Sequence, residues 1–274
     1  MCCCANLKVL IQCFFMKKVS SLEYDSNYYL HVNDGWSEFG DGKLSVRMVT
    51  AINEAGIDFK GKKVLDIGCG RGELCDFLSK KGAECVGIDY SSSAIKIAKS
   101  NFGKKSVFKK MDCTKMDFQK KSFDAVFMMD IVEHLTPEQL EKTISLVYSF
   151  LKPGGFLMLH TMPNAFLAKP FYLVCKITGT KRGVNEKVHI NEQTIFSLKK
   201  LLGKFENRFF FAHQKNYFKY TSFYASHKKL IRPLVDVFLV HDFSKIPFLN
   251  IFLASEIFSI SKKPMKRTEF IKSK

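Results

Sequence analysis

The tightest constraint on this chain is a strand that runs directly into a glycine-rich turn and then a helix: Val64-Leu65-Asp66-Ile67-Gly68-Cys69-Gly70-Arg71-Gly72-Glu73-Leu74. The short apolar run from Lys63 to Ile67 reads as a buried parallel strand. Residues from Glu73 to Lys81 read as a helix with Leu74, Phe77 and Leu78 on one face and Gly82 at its end. Between them the glycines let backbone approach a ligand closely, and the helix start directs N–H groups at it. The unit is a nucleotide-type cradle. A dinucleotide pyrophosphate is disfavoured, because the third glycine of the G-x-G-x-x-G pattern would fall at Glu73, whose carboxylate repels phosphate. Asp66, at the strand tip, suits a ligand with a cationic end.

Asp66, Gly68, Gly70 and Gly72 match, position for position, the D/E-x-G-x-G-x-G motif of the class I S-adenosylmethionine (SAM) methyltransferases, and the stretch resembles that family. Further along, Glu84 to Asp89 is a second apolar run ending in an acid. Asp89 follows Gly68 at about the twenty-residue spacing at which a strand-tip carboxylate takes ribose hydroxyls. The resemblance implies that Tyr90 packs on the adenine, that Asp112 reaches its amino group at the tip of a third strand (106–111), and that the Cys113 backbone lies nearby. Phe123 to Asp130 reads as strand four. The segment Asp124 to Leu135 resembles the D-x-V-x-x-x-x-x-x-E-H-L stretch of ubiquinone-biosynthesis-type O-methyltransferases and related small-molecule enzymes. Leu151-Lys152-Pro153-Gly154-Gly155 matches the family's turn into strand five.

The resemblance covers about residues 43–165. It implies an α/β, Rossmann-like, doubly wound and mostly parallel seven-stranded sheet, with an antiparallel last strand and helical substrate-side insertions. The cofactor is then S-adenosyl-L-methionine, held by Asp66, Gly68, Gly70, Gly72, Asp89, Tyr90, Asp112, Cys113 and Asp130. On this reading 1–42 is an N-terminal extension and lid, 43–165 the cofactor core, and 166–274 the substrate-side insertions and final strands of the same domain. Tyr24 and Tyr28 of the lid are placed to reach the ligand. A helix is expected over Lys43 to Ala55 and another after Asn191, read as its N-cap. Strands six and seven are expected at Phe205 to Phe211 and Glu256 to Ser261.

For the acceptor side, the candidate catalytic residues are His134, His189 and Glu133, with His160 as a further histidine. A base that is neutral near pH 7 assists when a hydroxyl must lose its proton as it attacks. Asp130, Glu133, His134 and His189 are also the set that would hold a divalent ion, although no metal is assigned.

Charge separates the two halves. Residues 1–160 hold 22 Lys/Arg against 19 Asp/Glu, a net of +3, whereas residues 161–274 hold 21 against 7, a net of +14. Such asymmetry points to an anionic partner, a lysine-rich solvated surface being the alternative. The expected partner is a small or lipid-linked, anionic acceptor, with peripheral membrane contact through the basic half. An RNA or protein methyltransferase using the basic half is the alternative enzyme, with nucleic acid ranked lower because no RNA-binding signature is present, and a regulatory SAM-binding protein is the non-catalytic alternative. Nine cysteines without a C-x-x-C pair fit reduced thiols and a cytoplasmic location. The Cys2–Cys4 cluster precedes an apolar run too short to span a bilayer, and Met16 is an alternative start.

Overall fold

The computed structural model describes residues 18–32, 36–179, 188–212 and 245–265. The cysteine cluster before residue 18 and most of the insert between the last two strands (213–244) lie outside them. Seven strands form one sheet: β1 Lys63–Ile67, β2 Glu84–Asp89, β3 Val107–Lys110, β4 Phe123–Met129, β5 Leu151–Thr161, β6 Glu206–Ala212 and β7 Glu256–Lys262. Their spatial order is β3-β2-β1-β4-β5-β7-β6. β1 to β5 are parallel, and β7 is inserted antiparallel to both β5 and β6. The carboxyl ends of five strands therefore meet at one edge, where doubly wound sheets gather their ligands.

The apolar runs are continuous because both faces of the sheet are covered. Leu65, Ile67, Val126, Met128 and Leu157 face one side, under Leu140, Ile144, Val147 and Phe150 of the helix Pro137–Phe150. Val64, Ala125, Phe127 and Met158 alternate to the other. There they meet α1 (Val46–Ala55), α2 (Glu73–Lys80) and α3 (Ser92–Phe102) through Ala51, Leu74, Leu78, Ile95 and Ala98. The helix Pro137–Phe150, α4, starts in a reciprocal cap: Thr136 Oγ1 accepts from Gln139 N, and Gln139 Oε1 accepts from Thr136 N. After strand five come α5 (Ala165–Thr178), α6 (Ile195–Leu201) and the short α7 (Leu249–Leu253).

Two local readings are corrected. The helix after Asn191 begins later, at Ile195, where Thr194 and Ser197 form the capping pair. The Asn191 side chain instead donates to the Leu135 carbonyl, 2.9 Å away, and so ties this segment to the loop after β4. The Pro153-Gly154-Gly155 turn is taken into β5, which pairs with Phe123 before an irregularity and with Ala125 after it.

Gly72 shows what packing demands of the glycine loop. A Cβ there would stand 2.7 Å from Phe108 Cζ and 3.0 Å from Ala98 Cβ, on a backbone with φ +88°. Gly72→Ala combines left-handed strain with overpacking against a β3 ring. It is expected to cost about 2–4 kcal/mol in urea unfolding. A loss below half a kcal/mol would show that β3 yields easily to the extra methyl.

Candidate functional site

Under the glycine loop, Asp66 is 3% exposed, and the Cys75 thiol donates to its Oδ2 at 3.6 Å. Burial pushes its carboxyl up to about 7, partly offset by that thiol. For a carboxyl whose folded value is raised, the favourable contribution is full below the unfolded value near 4 and is lost as pH rises through about 7. Asp66→Asn is thus expected to raise the melting temperature of ligand-free protein at pH 8 and to leave it nearly unchanged at pH 4. An equal shift at both pH values would remove ionisation as the cause.

At the tip of β2, Asp89 is 6% exposed. Its Oδ2 accepts the Gly70 N–H at 3.2 Å and the Tyr29 hydroxyl at 3.5 Å, while Oδ1 accepts the Ser91 N–H at 2.8 Å. Burial raises its carboxyl to about 6, and these donors hold it down against a larger rise. Gly70 itself carries the Tyr29 ring 3.5 Å from where a Cβ would stand. The first two strand tips and the loop between them are thus wired together through one carboxylate.

Residues 18–32 clasp this edge from outside. The Tyr90 hydroxyl donates to the Val19 carbonyl (3.2 Å), and the Ser91 hydroxyl to the Tyr24 carbonyl (2.7 Å). Arg71, buried in the glycine loop, donates to the Tyr29 carbonyl (2.8 Å) and pairs with Glu73. Lys18 meets Asp112 Oδ2 at 2.5 Å, while Asp112 Oδ1 holds the Thr114 N–H and hydroxyl. Tyr24 packs edge-on against Tyr28, Tyr90 and His134. The segment therefore lies on the residues assigned to the cofactor. Tyr24 and Tyr29 are its buried tyrosines, and Tyr28 is half-buried. Cys113, also assigned there, is buried, and its Sγ takes the Thr143 hydroxyl.

Across from that face, the turn Val132–His134 follows β4. Its shape is set by Asp130, a non-glycine residue at φ 55°. The Asp130 carboxylate faces Arg47 Nε of α1 (3.4 Å) and His160 Nδ1 of β5 (2.6 Å). The short His160 approach lies off the direction of a hydrogen bond, so it acts as an ion pair. Burial would raise the Asp130 carboxyl, but Arg47 and His160 outweigh it and hold it well below the ordinary range. Burial would likewise lower His160; Asp130 and Glu256 override it and hold the ring up, at about 9. His160 is thus a charged, fully buried strut and is unavailable as a base.

His134 has the opposite character. Its Nδ1 lies 2.9 Å from the Tyr24 hydroxyl and 3.1 Å from the Val188 carbonyl. A carbonyl oxygen only accepts, so Nδ1 carries the proton and Nε2 the lone pair. Burial lowers the ring's pKa to about 4, against the pull of Asp130, so His134 is neutral at physiological pH. His189 stacks edge-on 4.9 Å away and is also lowered, by burial and by His134. Glu133 is 1% exposed and accepts the Thr161 hydroxyl at 2.9 Å. Burial and Asp130 push it up to about 8, so it is protonated at neutral pH. Its backbone carbonyl anchors the 188–191 segment by accepting from Ile190 and Asn191 N–H groups.

Glu133, His134 and His189 bring one carboxylate oxygen and two ring nitrogens within 4.8 Å of one another, a donor set suited to a divalent ion. Asp130, considered for that set from the sequence, is turned to Arg47 and His160 instead. Two contributors escaped the sequence reading. Arg47 stands on the stripe of Leu44, Met48 and Ala51, where a charge amid apolar helix positions was the available signal. Thr161 carried no signal.

Residues 64–155 match the model of a methyltransferase domain. The ubiquinone biosynthesis O-methyltransferase of Coxiella burnetii is 34% identical over 124 residues, covering 44% of this chain and 52% of that protein. The mitochondrial ubiquinone biosynthesis O-methyltransferase of Mus musculus is 37% identical over 126 residues, covering 43% and 34% respectively. The chain thus spans about half the length, or less, of these curated relatives. In fold it resembles a SAM-dependent methyltransferase from Archaeoglobus fulgidus, with a TM-score of 0.56 at 21% identity, covering 83% of this chain and 98% of that one. It also resembles phosphoethanolamine N-methyltransferase 2 of Haemonchus contortus, solved with phosphomonomethylethanolamine and S-adenosylhomocysteine. There the TM-score is 0.60 at 18% identity, covering 92% of this chain and 62% of that one.

Proposed function

We propose that this chain, a class I SAM-dependent methyltransferase by its 64–155 domain and its seven-stranded sheet, methylates a hydroxyl of a small or lipid-linked acceptor. The observation that carries the choice of a hydroxyl is His134: a neutral imidazole with its lone pair on Nε2, held by the Tyr24 hydroxyl and the Val188 carbonyl. An amine acceptor can react from its own lone pair, whereas a hydroxyl gains from a base at its proton. The names of the similar O-methyltransferases support the same class.

S-Adenosylmethionine, when bound, supplies a methyl group on a sulfonium sulfur. The chain's task is to hold that sulfur and the acceptor oxygen in line and to exclude water. Asp89, with its gathered N–H donors, binds the ribose edge; the backbone of the Gly68–Gly72 loop, supported from beneath by the buried Asp66, faces the methionine end; Tyr90 and Asp112 flank the base. Residues 18–32 shut the edge against water. As the acceptor oxygen forms its bond to carbon, its proton passes to His134 Nε2. The resulting imidazolium keeps its Nδ1–H on the Val188 carbonyl and lies near the Asp130 carboxylate, whose charge favours it. Glu133, protonated, positions the turn and is not the base.

Calorimetry with SAM, S-adenosylhomocysteine and NAD tests the cofactor half of this reading, and turnover of aminophenol acceptors with short and long apolar tails, which offer both a hydroxyl and an amine, tests the acceptor half. Micromolar binding of the first two, none of NAD, and methyl ethers as products are expected. Tight NAD binding without SAM binding would overturn it, and so would products methylated only on nitrogen.

A further inference from the structure

Helix α5 follows strand five, outside the residues 64–155 that match the methyltransferase-domain model, and one of its faces is exposed. Ala165, Ala168 and Cys175 are its buried positions. Lys169, Leu173, Lys176 and Ile177 fall on a single outward stripe by the helical period, with Leu173 59% and Ile177 76% exposed. The stripe continues onto α7. Phe166, near the start of α5, packs on Phe252 with ring centroids 4.9 Å apart. The Asn164 amide donates to the carbonyls of Ile251 and Ala254, which fixes the two helices to one another. Beside Phe252, Phe248 is 81% exposed and Leu249 45%.

Solvent-facing leucine, isoleucine and phenylalanine on two locked helices are large apolar groups of the kind soluble surfaces seldom gather. The charges that the two helical segments themselves carry are basic. The segments 165–179 and 245–254 contain Lys169, Lys176 and Lys245 and no Asp or Glu. An apolar face with lysines along its margin matches the depth profile of an anionic bilayer surface, where aliphatic and aromatic groups enter the acyl boundary and ammonium groups stay among phosphates. Fourteen residues of helix extend about 21 Å, short of the ~30 Å hydrocarbon core, and among the described residues no helix is long and apolar enough to cross a membrane. Contact in the plane of the surface is the remaining geometry. A second copy fits poorly, because a self-complementary contact would bring lysine margins together with no carboxylate in either segment. Nucleic acid would leave the aliphatic stripe of Leu173 and Ile177 without a partner, since bases stack on aromatic rings.

We propose that the outward face of α5, continued by α7, docks this protein on an anionic phospholipid surface. The proposal does not depend on the reaction assigned above, because its test reads neither SAM binding nor turnover. The full chain is sedimented with vesicles of phosphatidylcholine alone and of phosphatidylcholine with one-third phosphatidylglycerol. Strong binding to the anionic vesicles only, weakened by added salt, is expected. The double variant Leu173→Glu with Ile177→Glu should bind them at least about tenfold more weakly, with an unchanged melting temperature and circular dichroism spectrum. Lys169→Glu with Lys176→Glu should weaken binding chiefly at low salt. Failure of the unchanged chain to bind anionic vesicles overturns the proposal, as does undiminished binding of the Leu173/Ile177 variant. RNA binding that is lost in the lysine variant but kept in the Leu173/Ile177 variant, without vesicle binding, assigns the face to nucleic acid. Concentration-dependent dimerisation abolished by the Leu173/Ile177 variant, without vesicle binding, assigns it to a second copy.

Discussion

Replacing His134 with alanine is expected to lower kcat by about 10²–10⁴-fold while changing SAM affinity by less than about threefold, because the group lost acts on the acceptor proton. The pH profile carries the sharper information. A free imidazole titrates near 6.5, but burial lowers His134 to about 4. The base form therefore persists through the acidic range, and kcat/KM of the unchanged protein should begin to fall only below about pH 5. Tyr24→Phe removes one of the two contacts that fix the ring. It should cost about 5–50-fold in kcat and leave that limb in place, since the Val188 carbonyl still sets the tautomer. A chelator separates the base from a metal role of Glu133, His134 and His189: turnover is expected to be unaffected. Loss of activity with chelator, restored by a divalent ion, would transfer these three residues to a metal site. A His134→Ala enzyme within threefold of the original rate would end the base assignment.

The second large effect is expected at Asp89. Asp89→Ala removes the carboxylate that gathers the Gly70 and Ser91 N–H groups and the Tyr29 hydroxyl, and with it the acceptor assigned to the ribose. Charge-assisted hydrogen bonds contribute about 1.5–3 kcal/mol each. A loss of about 3–4 kcal/mol in SAM binding, or roughly 10²–10³-fold in Kd, is expected by calorimetry. Asp89→Asn, which keeps the shape and one acceptor oxygen, should lie between. Because burial holds Asp89 up at about 6, affinity in the unchanged protein should also weaken as pH drops below 6, where the carboxylate is neutralised. Unaltered affinity in Asp89→Ala, with an unchanged melting temperature, would show that the ribose is held elsewhere.

Both predictions join residues that the sequence made visible to residues that it did not. Strand periodicity, the Asp66-to-Gly72 loop and the acids at the ends of β2 and β4 are local features. Each depends on a few neighbouring residues, and each was legible. The start of α6 was misplaced because Asn191 and Thr194 are both good caps, and only the contact of Asn191 with Leu135 decides between them. Among the candidate bases, His134, His160 and His189 are chemically identical on the page. The fold separates them by enclosing His160 between two carboxylates and leaving His134 with a hydroxyl and a carbonyl.

What the sequence determined by itself was the scaffold, because hydrophobic period, glycine conformation and helix capping are short-range properties of the chain. Only the tertiary structure decided protonation and partnership. Tyr24 reaches His134 across 110 positions of sequence, and Arg47 comes to the β4 tip from a helix that precedes β1. Desolvation and nearby charge depend on which groups are brought together through space.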